Sequence, residues 1–164
     1  MAPFVRLVLI VLTLGAVSAP PVLAQPRGPS FGSYRAALYR GRIAAPNFQR
    51  APQYRQFRTR IVEGARTVNF AGRYALVRFG CGAGCTSNVV VDVSSGRIID
   101  FPLGGEDNYH LDLNFRADSR LVRARWETQG ADEACIHQAL VFNGRTFRRL
   151  PARRQAGACA NQPF

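Results

Sequence analysis

The chain has 164 residues, 22 basic and 10 acidic, for a net charge of +12, and every basic residue is Arg. That length suits one domain with a tail, and 47% hydrophobic with 20% charged residues excludes a disordered chain. Two His and four Cys leave few groups for metal or covalent chemistry.

Residues 1–24 have the form of a secretory signal peptide. Arg6 is the n-region charge, Leu7–Val17 is an apolar run of eleven residues, and Val22-Leu23-Ala24 places small residues before a cleavage site after Ala24. Such a run is too short for a bilayer, which needs roughly 20 residues. The expected mature chain starts at Gln25, has no transmembrane segment, and is periplasmic or secreted.

Residues 25–50 form a basic, Pro/Gly/Arg-rich extension with little hydrophobic pattern, expected to be irregular apart from a short helix at Tyr34–Tyr39. Residues 25–66 hold nine Arg against Glu63 alone, +8, whereas residues 67–151 hold ten Arg against nine acids, +1. A field of this sign suits an anionic surface or an envelope protein. Nucleic acid is not expected for an exported chain. A coding preference for Arg and a solvated face would produce the same pattern with no partner at all.

A helix-plus-β domain is expected over 51–151. In residues 52–64, Tyr54, Phe57, Ile61 and Val62 recur at helical spacing, Pro52 suits a first helical position and Gly64 a stop. This amphipathic helix should dock its apolar face and leave Arg55, Arg58 and Arg60 toward water. From Phe70 the period changes to two. Strands are expected at 70–79, with Tyr74 and Leu76 on one face and Ala75, Val77 and Phe79 on the other, then at 89–93, 97–103, 109–115, 121–126, 136–142 and 145–150. Ser94-Ser95-Gly96, Ala117-Asp118-Ser119 and Asn143-Gly144 supply turns. Short connections favour neighbouring antiparallel strands. The expected fold is mainly β (α+β): one helix, then about seven antiparallel strands in a meander, curled into a bent sheet or partial barrel. Without its extension this domain is expected to fold, and residues 152–164 are expected to be a tail.

Four cysteines in an exported chain imply two disulfides, with three pairings open. Cys81–Cys85 with Cys135–Cys159 is favoured, because Gly82-Ala83-Gly84 is pliable and the second pair staples the tail to the last hairpin. A redox pair is disfavoured: the cysteines are separated by three residues and lie between strands, not at a helix start. The same glycines could cradle an anion, but the Lys-Ser/Thr of a phosphate loop is missing. No metal and no cofactor are expected, since His110 and His137 lie 27 residues apart and neither has ligand spacing with a Cys.

Candidate binding residues are Glu106, Asp107, Tyr109 and His110 around an acidic Gly-rich loop, Trp126 opposite an Arg-rich strand, and Arg55, Arg58 and Arg60 on the helix. His110 with the carboxylates and Ser119 is a conceivable catalytic set. Ser119, however, sits in ordinary turn sequence with no nucleophile elbow around it. No catalytic residue is assigned.

Phe57-Arg58-Thr59-Arg60-Ile61-Val62-Glu63-Gly64-Ala65, Asn69-Phe70-Ala71-Gly72-Arg73-Tyr74, Gly80-Cys81-Gly82-Ala83-Gly84-Cys85 and Val91-Asp92-Val93-Ser94-Ser95-Gly96-Arg97 follow one another in a specific order. Over about residues 55–150 this order resembles small exported proteins of Gram-negative bacteria that are themselves uncharacterised. The resemblance implies a periplasmic, β-rich domain and carries over no activity and no functional residue. The functional expectation is therefore an exported, non-enzymatic binding or interaction module. The alternatives are a periplasmic enzyme, either hydrolase or thiol oxidoreductase, or an inhibitor of a cell-wall hydrolase.

Overall fold

A computed structural model describes residues 28–130 and 132–164. The expected signal peptide, with its expected cleavage after Ala24, lies outside the described residues. Among the described residues eight strands form two antiparallel sheets, and no barrel closes. The first sheet is β1 (Tyr74–Gly82), β2 (Cys85–Asp92) and β3 (Arg97–Asp100), in that order. The second runs β4 (Tyr109–Phe115), β5 (Leu121–Glu127), β6 (Ala134–Phe142) and β7 (Phe147–Arg149), with β8 (Arg153–Ala156) also paired to β6.

Two sheets replace the single meander because the link after β3 is more than a turn. Pro102 has no N–H to continue the ladder, and Phe101 and Leu103 on either side of it are buried between the sheets. There they join Leu76 and Val90 from the first sheet and Leu111, Val122, Ala124, Leu140 and Phe142 from the second. Phe70 is fully buried in the same core, with Phe142 at 5.6 Å and Phe115 edge-on at 6.1 Å between ring centroids. Such pairs add roughly 0.5–1.5 kcal/mol each beyond area burial.

Strand β1 starts at Tyr74, not at Phe70. Ala71 and Gly72 take φ of 46° and 83°, which turns the chain back so that Phe70 and Tyr74 bridge each other. From there the alternation is as the pattern requires. Tyr74 and Leu76 face the inter-sheet core, and Ala75, Val77 and Phe79 face the opposite side with Val89, Val91 and Val93.

That opposite face is covered by a 3₁₀ turn at Pro52–Phe57 continuing into α1 (Arg58–Gly64), in place of one continuous helix. Ile61 is fully buried there, and Phe57 stacks on Phe79 at 4.3 Å. Gly64 does more than stop the helix. A Cβ at this position would run into the Val77 side chain, so the glycine sets how closely α1 approaches β1.

Residues 28–50 are a strap that crosses both sheets, with only a short 3₁₀ turn at Phe31–Tyr34 and no helix at 34–39. Phe31 and Tyr34 cover Leu121, Ala139 and Val141 on the outer face of the second sheet. The strap then passes to the first sheet. The N–H of Tyr39 donates to Gly72 (2.8 Å), that of Ala44 to Val93 (2.7 Å) and that of Asn47 to Gly96 (2.7 Å). Phe48 is buried against the same face as α1.

The tail beyond Pro151 contains β8, a strand no apolar pattern could reveal because all four of its residues are exposed. Both disulfides are formed in the favoured pairing, with Cα–Cα distances of 5.2 Å for Cys81–Cys85 and 4.9 Å for Cys135–Cys159.

Candidate functional site

At the tip of the β1–β2 hairpin the disulfide and two glycines make a tight turn, with Gly84 at φ 68°. Tyr109 lies on Gly84 so closely that a Cβ there would overlap its ring, and the His110 N–H donates to the Gly84 carbonyl at 3.1 Å. Glycine therefore lets the hairpin tip of one sheet seat on the first residues of β4 in the other.

His110 sits in the left-handed region at φ 52°, where the β4–β5 register slips between Tyr109 and Asp112. Bulges of this kind re-aim side chains. Here the slip sets Tyr109 opposite Glu127. The result is an open cleft of about 650 Å³, lined by Ala83, Cys85, Glu106, Asp107, Tyr109, Trp126, Glu127, Thr128 and Gln129. No basic side chain lines it, in a chain of net charge +12.

Its inner wall is tied down. Glu127 receives the Cys159 N–H on Oε1 at 3.0 Å, and its Oε2 lies 2.7 Å from His110 Nδ1. Behind it, Arg125 forks onto Asp112 at 2.9 and 3.2 Å, donates to the carbonyls of Cys159 and Gln162, and carries Phe164 at 4.3 Å. His137 Nε2 lies 2.9 Å from Gln162 Oε1. The two histidines thus serve a clasp that holds the tail on the second sheet, with Cys135–Cys159 at its centre. Among the described residues no group of three or more His, Cys, Asp or Glu is placed to hold a metal.

Four of the eight candidate residues therefore line one cleft, and His110 stands beside it on Glu127. The other three lie elsewhere. Arg55 and Arg58 line a second hollow of about 430 Å³, with Ala45–Gln49 and Ser95. Arg60 reaches toward Gly80 on β1. Ser95 is in the β2–β3 turn, and the first cleft is at the β1–β2 turn, so the eight residues of β2 separate the hollows by about 25 Å.

Ser119 is not part of any catalytic set. It is 1% exposed, its hydroxyl lies 2.9 Å from the Phe31 carbonyl, and its turn is at the other end of β4 and β5 from the cleft. Sequence reading missed Glu127, Thr128 and Gln129. The usable signal was the polar run Glu-Thr-Gln directly after Trp126. Thr128 is the cleft's only hydroxyl outside Tyr109, and it is engaged by the backbone at Asp132 (3.0 Å) and Ala134 (3.0 Å).

Comparison of the chain with protein families, curated proteins and solved structures finds no match. Fold and cleft define a two-sheet, disulfide-bonded β protein with an acidic, aromatic-walled hollow. Two disulfides fit an oxidising compartment, and among the described residues no helix is long and apolar enough to cross a membrane.

Proposed function

We propose that this chain is a periplasmic binding module, exported and cleaved after Ala24, whose ligand seat is the acidic cleft. Its ligand is a cationic, hydroxyl-bearing molecule of the amino-sugar type. One observation carries the reading: Tyr109 and Trp126 wall a hollow together with Glu106, Asp107 and Glu127, and no basic side chain lines it. An aromatic face attracts an ammonium group by roughly 0.5–2 kcal/mol, more as water is excluded, and flat sugar faces also stack on such rings. Carboxylates accept both N⁺–H and O–H donors.

Rigidity supports binding over turnover. The one aliphatic hydroxyl in the cleft is held by backbone groups, and the disulfide at its rim closes a hairpin tip. A cysteine there lacks the helix N-terminus that usually stabilises a thiolate.

The chain has a single tryptophan, and it lines the cleft. Titration with glucosamine oligomers should change Trp126 emission saturably, and acetylated oligomers should bind more weakly. Glu106→Gln with Asp107→Asn should weaken binding about tenfold, read by calorimetry. Unchanged emission across these probes, or equal affinity for charged and acetylated forms, would remove the proposal.

A second reading keeps one observation: His110 and Glu127 form a close pair beside the cleft. In a hydrolase that pair would activate a water molecule. Cleavage of the same oligomers by the wild type, abolished in His110→Gln, would establish it in place of simple binding.

A further inference from the structure

The second half of the strap and α1 pack into one cluster against the first sheet, through Tyr39, Phe48, Ile61 and Ala65. Among the described residues its arginines stand without carboxylate partners, as do Arg148 and Arg153 on the second sheet, but here they flank exposed apolar side chains. Arg73, Arg78, Arg116 and Arg125 all have carboxylate partners. Among the described residues, Arg40, Arg42, Arg50, Arg55 and Arg58 have none. Arg58 is steadied over the Phe48 ring at 5.0 Å, and with Arg55 it lines the second hollow, where no acid appears.

The strap also carries misplaced apolar groups. Among the described residues three large hydrophobic side chains are exposed, and two of them are Leu38 (49%) and Ile43 (41%) on the strap. Between them the chain is pinned. Tyr39 packs against the core on the outer face of the first sheet, its hydroxyl donates to the Arg42 carbonyl at 3.1 Å, and its ring lies where a Cβ on Gly41 would be. This pinned bend holds Leu38 and Ile43 outward, next to Arg40 and Arg42. Aliphatic tips among unpaired arginines are the chemistry of a lipid interface: the cations meet phosphates while the tips enter the acyl boundary. A polyanion without an apolar layer would leave the tips in water.

We propose that the strap and α1 dock the protein on an anionic phospholipid surface, with Leu38 and Ile43 inserted and Arg42, Arg50, Arg55 and Arg58 on headgroup phosphates. The contact leaves the acidic cleft, at the other end of β2, facing away from the lipid.

The test is co-sedimentation of the protein with vesicles of phosphatidylglycerol and phosphatidylcholine, against phosphatidylcholine alone, with heparin and inorganic phosphate as lipid-free anions. Of the two kinds of vesicle, only the anionic ones are expected to bind, and that binding should fall steeply with salt. Each Arg→Gln change at the four named positions should lower partition about fivefold. Arg145→Gln, Arg148→Gln and Arg153→Gln, which remove charge from the second sheet, should lower it far less. The deciding variant is Leu38→Ser with Ile43→Ser. It changes exposed side chains only, so its unfolding temperature should match the wild type. It should lose about tenfold in vesicle binding while retaining heparin binding unchanged. Vesicle binding that survives this change, equal binding to neutral vesicles, or displacement from vesicles by inorganic phosphate would overturn the proposal.

Discussion

The two sheets are covered on their outer faces in opposite ways. On the first, apolar side chains do the covering: Phe48, Ile61 and Ala65 are buried against Ala75, Val77, Val89 and Val91. On the second, one half is apolar, under Phe31 and Tyr34. The other half is polar and covalent, with Arg125, Asp112, His137, Gln162 and a disulfide holding the tail. A layer continuous in the chain with its sheet and rich in apolar residues needs no staple. A tail whose strand is wholly exposed has little apolar area to hold it, and takes directional bonds and a crosslink instead.

The largest effect should come from removing the strap. Deleting residues 28–50 withdraws Phe48 from one core and Phe31 and Tyr34 from another, and it strips the partners from Val93, Gly96 and Ser119. The remaining chain is expected to lose its cooperative thermal transition, contrary to what the compositional contrast at residue 50 implies. A transition retained within a few degrees would show that the strap is ornamental. Next, Ile61→Ala should cost about 3–4 kcal/mol by chemical denaturation, because the side chain is fully buried under α1.

Replacing both Cys135 and Cys159 by Ala should cost roughly 3 kcal/mol, since the bond closes a separation of 24 residues. Cys81 and Cys85, four apart, should cost nearer 2 kcal/mol. Equal losses at the two sites would mean that the tail is held by its hydrogen bonds alone. The smallest effect is at Tyr54, whose hydroxyl donates to Asp100 at 2.7 Å. Burial first, then the hydrogen bond and the charge of Asp100, hold its ionisation well above the ordinary value of 10.0. A group whose folded pKa is raised contributes stability that is complete below the unfolded pKa and is lost as pH climbs past it. Tyr54→Phe should therefore lose less stability than the wild type above about pH 10, measured as the difference between their denaturation midpoints.

How far the sequence revealed this arrangement differs from place to place. Alternation in 74–79 and the valines of 89–93 showed both buried faces of the first sheet, because each residue there answers to a core. The break into two sheets was hidden, since Phe101 and Leu103 look like a strand's end and their burial depends on a partner sheet remote in sequence. β8 was hidden for the opposite reason, having no apolar residue to mark it but Ala156. In the cleft, Glu106, Asp107, Tyr109 and Trp126 were recognisable as chemistry-bearing types. Glu127 was not, because its role comes from a slipped register and from a tail amide 32 residues away.

The strap also dictates an order of events. Arg123 donates to the Pro29 carbonyl across 94 residues, and Ser119 to Phe31 across 88. Closing such loops is entropically costly and slow compared with forming a hairpin. The strap precedes both sheets in the chain, yet it can settle only after β4, β5 and the turn between them exist. Until then Leu121, Ala139 and Val141 lack their cover, and the molecule locks only when the strap has met a turn 88 residues further along the chain.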